Sequence, residues 1–276
     1  MTAAEVSSTG AFEFLRTEVR DRVLIVALDR APVNAVHVPM YDEIRELFSH
    51  IDDLFPAANA VVLTSSGRHF CAGNDLDEFM SMDSDNARIR MFHVREAFAA
   101  IQDCAVPVIG AVRGAALGTG MALAASCDFV VAADDARFGL PEITVGVMGG
   151  ARHLARLAPQ PMVRRMFFTG DPIGAAELMS VGGVAAVVEG DRLLDCALGY
   201  AERIASHSPT ALRVAKHTLN VIESMDLQPG YQYEQGWTGW MSDHPDSKEA
   251  IEATRESRPP AYATAAFARP TPGTVR

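Results

Sequence analysis

The chain has 276 residues, 49% of them hydrophobic, which is enough to bury a sizeable core and excludes a disordered or low-complexity protein. Its 24 Lys and Arg residues stand against 35 Asp and Glu residues, and it has no basic run interleaved with aromatic residues, which argues against a nucleic-acid partner. A phosphate-bearing ligand would need a local site made of a few cations or a helix N-terminus.

The cysteines and the N-terminus indicate the compartment. The four cysteines form no CxxC pair and lie singly in apolar or small-residue stretches, which is typical of free buried thiols in a reducing environment: Cys71, Cys104, Cys127 and Cys196. The N-terminus has no signal-like pattern, and no stretch reaches the ~18 apolar residues of a membrane span. We therefore expect a cytoplasmic protein without a membrane partner.

The predicted elements alternate along the first two thirds of the chain. Segments rich in β-branched residues predict strands at residues 23–28, 60–64, 106–112 and 129–132. Apolar spacing of three and four predicts helices at residues 38–54, 87–102 and 119–125. This alternation predicts an α/β fold with right-handed crossovers.

From about residue 191 the pattern predicts only helices, at residues 193–204, 209–222, 232–241 and 247–256, with breaks at Ser208-Pro209 and Pro229-Gly230. Amphipathic helices of this kind often dock on another subunit. The chain is accordingly divided into a flexible N-terminus (1–10), an α/β core (11–190), a helical region (191–260) and a flexible tail (261–276).

The first of three unusual segments is residues 69–76, which follows a predicted strand. Its small residues let the backbone approach a ligand, and a turn that enters a helix leaves N–H groups free to bind an oxyanion. Taken alone, the segment is equally typical of an ordinary turn in which Asn74 and Asp75 cap a helix.

The second segment, residues 114–122, places three glycines between a strand and a helix. The helix N-terminus then faces something close, most usefully a developing negative charge. A dinucleotide fingerprint would need a third glycine three residues after Gly120, where Leu123 stands. The pattern therefore argues against a nicotinamide-dependent oxidoreductase.

The third segment, residues 138–147, holds one carboxylate, Glu142, among apolar neighbours. Apolar surroundings raise the pKa of a glutamate, which suits a group that takes and returns a proton near neutral pH. A glutamate in a surface turn is the alternative.

These segments together resemble the crotonase superfamily, the enoyl-CoA hydratase/isomerase family, over residues 12–262. The motifs follow in order and with mostly family-like spacing: residues 70–76, 114–120, 127–128, 138–142 with Gly146, 168–177, 208–212 with Lys216, and 258–260. The resemblance implies a crotonase-like spiral of ββα turns in residues 11–190 and a C-terminal helical trimerisation region. It also implies a homo-trimer or a dimer of trimers.

The resemblance further implies an acyl-CoA substrate and neither a metal nor a separate cofactor, with CoA as part of the substrate. Glu142 is then the catalytic carboxylate, and the backbone N–H groups of Asn74 and Thr119 polarise the thioester carbonyl. The substrate-binding residues it implies are Val33, Asn34, Ala35, Ala72, Asp75, Leu76, Gly118 and Ala122, with Arg68 near the CoA phosphates.

Two departures from the family pattern bear on the reaction. The second glutamate of the family's hydratases falls on Ala122, which favours isomerisation through an oxyanion-stabilised dienolate. The wall segment 146–154 is shorter than usual and carries Arg152 and His153. Hydration, decarboxylation and thioester hydrolysis stay open, as does an acyl-CoA-binding homologue that has lost catalysis. His69, His93 and Glu96 are further candidates for reaching the pocket, although a solvated or structural role is favoured for each.

Overall fold

The computed structural model describes residues 12–262. Within them, nine strands form two sheets: β1 Leu15–Arg20, β2 Val23–Leu28, β3 Ala60–Ser65, β4 Val108–Val112, β5 Ala115–Leu117, β6 Phe129–Ala133, β7 Arg137–Gly139, β8 Ile173–Gly174 and β9 Ala186–Val188. Twelve α-helices connect and cover them: α1 Val38–Ser49, α2 Ile51–Leu54, α3 Leu76–Met80, α4 Ala87–Gln102, α5 Thr119–Ser126, α6 Ala151–Leu154, α7 Gln160–Thr169, α8 Ala175–Met179, α9 Leu193–Ala205, α10 Pro209–Ile222, α11 Leu227–Ser242 and α12 Pro245–Glu256. Two short 3₁₀ helices span Pro141–Val145 and Gly190–Arg192.

The larger sheet has the strand order β1-β2-β3-β4-β6-β9. Strand β1 pairs antiparallel with β2 as a hairpin, and every later pair is parallel. Strands β3 and β4 are largely buried, which explains why their sequences are almost without polar residues, since a parallel sheet covered on both faces has no polar side.

The smaller sheet has the order β5-β7-β8 and determines where the site forms. Strands β5 and β7 are parallel, and Leu117 pairs with Gly139 at their carboxyl ends. The glycine turn that follows β5 and the segment that follows β7 therefore leave the sheet side by side.

Two apolar clusters cover the two faces of the larger sheet. The main core includes α1, the inner face of α4 and all of α5. The second cluster lies under α9, which packs on β2, β3, β4 and β6. The first helix of the predicted C-terminal region thus packs on the chain's own sheet.

Helix α10 is joined to the core by two buried cations. Arg213 pairs with Asp52 at 2.6 Å, and Lys216 pairs with Asp128 at 2.7 Å. Removing the partner of a buried cation is strongly destabilising, so these pairs hold α10 in place.

The α/β expectation is confirmed, and the four predicted strands lie within one or two residues of their observed bounds. The predicted break at Pro229-Gly230 is wrong, because α11 already begins at Leu227 and includes both residues. A proline in the first helical turn costs no intrahelical hydrogen bond, so it does not end the helix. The flexible ends predicted at residues 1–10 and 261–276 lie almost wholly outside the described residues, and the domain boundaries remain predictions. No helix within residues 12–262 has the length and apolar character needed to cross a membrane.

Candidate active site

Three chain segments meet beside the smaller sheet. Residue 71 forms a bridge with Ala116 of β5, through hydrogen bonds from the Cys71 amide to Ala115 O (2.9 Å) and from the Leu117 amide to Cys71 O (3.0 Å). A methyl group on Gly120 would lie only 2.1 Å from Cys71 O. Helix α5 therefore starts directly against residues 71–75, the strip 71–75, and needs glycine at position 120.

The strip 71–75 also pairs with the loop that precedes α1. The Val36 amide donates to Gly73 O, and the Asp75 amide donates to Val36 O, both at 2.9 Å. In this pattern the amide of Asn74, between them, has no hydrogen-bond partner among the described residues.

The amide of Thr119 is also unpaired in the described part of the chain. Thr119 is the first residue of α5, where backbone N–H groups have no intrahelical acceptor and the helix dipole favours negative charge. Asn74 and Thr119 therefore present two free N–H donors on adjoining segments, an arrangement suited to an oxyanion.

The carboxylate of Glu142 lies beside these donors. A methyl group on Gly118 would lie 3.0 Å from Glu142 Oε1 and 3.9 Å from the Cα of Gly73. Gly73 and Gly118 are the residues directly before the two donors, so the Glu142 carboxylate lies close to both donor segments. On the other side, a methyl group on Gly149 would lie 2.7 Å from Oε1. The Glu142 carboxylate thus lies between Gly118 and Gly149, and a side chain at either position would crowd it.

The surroundings of Glu142 suit proton transfer. Its Oε2 is buried and has no hydrogen-bond partner among the described residues. Burial raises the pKa of Glu142 above its ordinary value of 4.5, against a smaller lowering effect of a backbone hydrogen bond. A carboxylate that is buried away from water, with no cation to stabilise its charge, is a stronger base than a carboxylate in water.

Ala122 lies one turn after Thr119 in α5 and is buried. Helix α5 carries no acidic residue, so it places no second carboxylate opposite Glu142. The structure therefore assembles one carboxylate with two free amides.

The side chains of the two amide donors meet a residue that the sequence analysis missed. The hydroxyl of Tyr41, in α1, lies 2.7 Å from Asn74 Oδ1 and 2.7 Å from Thr119 Oγ1. Arg90, in α4, donates to Asn74 Oδ1 at 3.3 Å and pairs with Glu78 at 2.9 Å. Tyr41 and Arg90 are both buried. No sequence pattern distinguishes them from core or surface residues of amphipathic helices.

Residues 33–35, which the family resemblance assigns to substrate binding, form a loop that hydrogen bonds fix to its neighbours. Asn34 is buried at a φ of 53°, and its amide donates to Ser66 O (3.1 Å) and His69 O (2.9 Å). Its neighbour Val33 accepts from the Ala72 amide at 3.0 Å, and Ala35 O accepts from Arg30. The loop 33–35 and Ala72 are thus adjacent, as the resemblance implies.

Asp75 has a structural role in the described chain. Its carboxylate caps α3 by accepting from the Glu78 and Asp77 amides, and it pairs with Arg30 at 2.7 Å. The hydrogen bond from Glu78 and then the one from Arg30 lower the pKa of Asp75. Leu76 and Arg68 are exposed, and the Arg68 guanidinium has no hydrogen bond or ion pair among the described residues.

The other candidates have local partners. His69 Nδ1 accepts from the Ala115 amide at 3.1 Å, and His93 Nδ1 lies 2.7 Å from Asp42 Oδ1. Glu96 is 3.8 Å from Arg95. These contacts fit the structural roles favoured for all three.

His153, in the wall segment, packs edge-on against Phe98 with ring centroids 5.0 Å apart, and Phe98 packs on Tyr41 in the same way at 6.1 Å. Burial, followed by the charges of Arg156 and Arg152, lowers the pKa of His153. The neutral ring therefore belongs to an aromatic wall behind Tyr41.

Comparison with known proteins places this geometry in context. The family model described as enoyl-CoA hydratase/isomerase matches residues 18–265. The chain is 38% identical over 219 residues to a (7aS)-7a-methyl-1,5-dioxo-2,3,5,6,7,7a-hexahydro-1H-indene-carboxyl-CoA hydrolase of Rhodococcus jostii (strain RHA1), covering 79% of this chain and 84% of that protein. It is 35% identical over 248 residues to the 2,3-dehydroadipyl-CoA hydratase of Escherichia coli (strain K12), covering 88% and 96%. The crystal structure of an enoyl-CoA hydratase from Bacillus anthracis superposes with a TM-score of 0.87 at 30% identity, covering 92% of this chain and 100% of that one.

Proposed function

The chain is an enzyme of the enoyl-CoA hydratase/isomerase family, the crotonase superfamily, and from this we propose how its site handles an acyl-CoA thioester. The thioester carbonyl oxygen accepts from the amides of Asn74 and Thr119, and Glu142 takes a proton from the acyl chain. The observation that supports the proposal is the buried Glu142 carboxylate, whose Oε2 has no hydrogen-bond partner among the described residues, beside two unpaired amides.

The proton transfer follows from these positions. When Glu142 removes an α- or γ-proton, the electron pair of the broken C–H bond moves toward the thioester oxygen and forms a dienolate. Two N–H donors and the N-terminus of α5 stabilise that oxygen without reorganisation, which is usually the largest single contribution to catalysis. Glu142 then returns the proton to the other end of the dienolate, so the double bond migrates.

We favour isomerisation because of Ala122. Adding water to a double bond needs one group to position and deprotonate the water and another to protonate the α-carbon. Helix α5 supplies no acid at that position. A shuttled proton needs one carboxylate only, and Glu142 is sufficient for it.

A hydrolase is the second candidate, favoured by the name of the Rhodococcus jostii relative. In this reaction Glu142 would deprotonate a water molecule, which attacks a ring ketone β to the thioester. The tetrahedral intermediate would then collapse by breaking the C–C bond to the α-carbon, whose electron pair forms the thioester enolate, and Glu142 would return its proton to that carbon. Attack on the thioester carbonyl itself would instead break the C–S bond and release CoA. The oxyanion donors would stabilise the resulting negative charge. This reaction also needs only one carboxylate.

A panel of CoA thioesters distinguishes the candidates. Purified protein is mixed with 3-enoyl-CoA, 2-enoyl-CoA and a cyclic β-ketoacyl-CoA, and products are resolved by mass spectrometry and NMR. Isomerisation converts 3-enoyl-CoA without a mass change, and both hydration and ring opening by water add the mass of one water. Release of free CoA reports thioester hydrolysis. Glu142→Gln should remove the activity found, and Glu252→Gln, at an exposed residue of α12, is the matched control. Turnover that survives in Glu142→Gln would refute the role of Glu142.

We also propose where the rest of the substrate and a second subunit bind. CoA runs along the strip 72–76 and the loop 33–35, with Arg68 near its phosphates. The C-terminal helices expose Leu219, Leu227 and Ile251, which supports their docking in a homo-trimer or a dimer of trimers. A cytoplasmic location fits the free thiols and remains part of the proposal.

A further inference from the structure

The hydroxyl of Tyr41 links the two residues whose amides form the proposed oxyanion hole. We propose that Tyr41 is a positioning residue, which fixes the spacing of the Asn74 and Thr119 amides through their side chains. The inference rests on the proposed function, because it assigns a role relative to those amides.

The directions of these hydrogen bonds are determined by chemistry. Arg90 can only donate, so the Asn74 atom that faces it at 3.3 Å is the carbonyl oxygen. Tyr41 then donates its single proton to that oxygen, and Thr119 must donate to Tyr41. Burial raises the pKa of Tyr41, so the phenol keeps its proton at working pH. The chain of donors runs from Thr119 to Tyr41 to Asn74.

The backbone fixes each segment separately, but among the described residues no backbone hydrogen bond joins the two segments at the donors themselves. The last direct hydrogen bond between the two segments is from the Leu117 amide to Cys71 O. Beyond it, each donor follows a glycine at positive φ, Gly73 at 123° and Gly118 at 53°, a conformation that residues with a side chain rarely adopt. The Tyr41 hydroxyl joins the segments just after those glycines, where a constraint is most needed.

The effect of losing this link is a partial one. Both amides remain in Tyr41→Phe, so the loss should be smaller than the ~100-fold or more caused by removing an oxyanion donor, and we expect about a 10-fold lower kcat. KM should change little, because the proposed CoA contacts at residues 33–35 and 72–76 do not involve the phenol. The ring itself, which packs on Phe98, is retained.

A chromophoric thioester, 4-(dimethylamino)cinnamoyl-CoA, tests the proposal without turnover. Its absorbance moves to longer wavelength when hydrogen bonds polarise its carbonyl. The wild-type protein should bind the probe and produce this red shift. Tyr41→Phe should bind it with similar affinity and produce a clearly smaller shift. Tyr231→Phe, which removes an exposed hydroxyl in α11, should behave as wild type.

Variants at the other end of the link separate positioning from folding. Thr119→Val removes the hydroxyl but keeps the amide and the branched shape, and it should reproduce Tyr41→Phe. Thr119→Ser keeps the hydroxyl, so its red shift and kcat should exceed those of Thr119→Val. The double variant Tyr41→Phe/Thr119→Val should be no worse than either single variant, because both break one chain of hydrogen bonds.

The outcomes are distinct. A full red shift and wild-type kcat in Tyr41→Phe, or a Thr119→Ser variant as impaired as Thr119→Val, would overturn the positioning role. A wild-type protein that binds the probe without any shift would instead overturn the proposed oxyanion hole. Should Tyr41→Phe fail to fold by circular dichroism, the comparison of Thr119→Val with Thr119→Ser decides the question.

Discussion

Replacing Glu142 by Gln should remove proton transfer while the site stays assembled. The amide has the same size, so it fits between Gly118 and Gly149, which approach the carboxylate closely. An amide cannot accept the proton, and general acid–base catalysis contributes about 100- to 10,000-fold, or ~3 to 5.5 kcal/mol of barrier. We expect the upper part of this range, because Asp75, the acid in the strip 71–75, already caps α3 and pairs with Arg30.

The same substitution should change how stability depends on pH. Because burial raises the pKa of Glu142, the folded protein holds this proton more tightly than the unfolded chain. Wild-type stability contributed by this group therefore falls as pH rises from the ordinary glutamate value of 4.5 through the raised pKa, and it stays lower above it. Glu142→Gln lacks this loss, so it should be at least as stable as wild type at pH 8 and lose that advantage at pH 4.5 and below.

Two assays check these expectations together. Initial rates with the thioester that the wild type converts give kcat and KM, and thermal unfolding is followed from pH 4 to pH 8. The wild-type kcat/KM should rise with pH through the raised pKa of Glu142, since the ionised form is the base. A Glu142→Gln variant that keeps this rise, or that unfolds much earlier than wild type at pH 8, would refute the reasoning.

Three further predictions follow from the geometry. Thr119→Pro removes one oxyanion donor at a helix position that tolerates proline. The kcat should therefore fall by about 100-fold or more (~3 kcal/mol), which is a larger loss than that expected for Thr119→Val. Gly149→Ala places a methyl group 2.7 Å from Glu142 Oε1 and should displace the carboxylate, lowering kcat about 10- to 100-fold, whereas Gly199→Ala, which meets no atom within 4 Å, should have no effect. Sedimentation should give a trimer or a hexamer at micromolar concentration, and a compact monomer would contradict the proposed assembly.

Four of the six strands of the larger sheet, β2, β3, β4 and β6, were predicted from the sequence, and β1 and β9 were missed. Residues 23–28 coincide with β2, because a strand buried on both faces has a continuous run of apolar, mostly β-branched residues. The short strands β5 and β7 escaped prediction, since three residues within glycine-rich segments carry no periodic signal. Their parallel pairing nevertheless determines that the glycine turn and Glu142 lie together.

The family resemblance of the sequence named the candidate backbone donors and the candidate carboxylate, which the structure brings together, but it did not name the side chains that support them. Asn74, Thr119 and Glu142 occur in segments whose glycines and apolar neighbours are unusual for a scaffold. Tyr41 is one of several apolar residues on the inner face of α1, and only the packing of α1 against α4 and α5 shows that its hydroxyl reaches the site. Asp75 was expected to bind substrate, and only the structure shows its ion pair with Arg30, which is distant in sequence.

Hydrogen exchange into the acyl chain directly tests whether Glu142 removes a proton from the bound thioester. The wild-type protein is incubated with a 3-enoyl-CoA in D₂O, and ¹H NMR follows the signals of the α- and γ-carbons. If Glu142 is the base, deuterium should appear at one or both positions, at a rate that Glu142→Gln reduces by at least about 100-fold. A wild-type protein that binds the thioester but incorporates no deuterium would contradict proton abstraction from the acyl chain by Glu142.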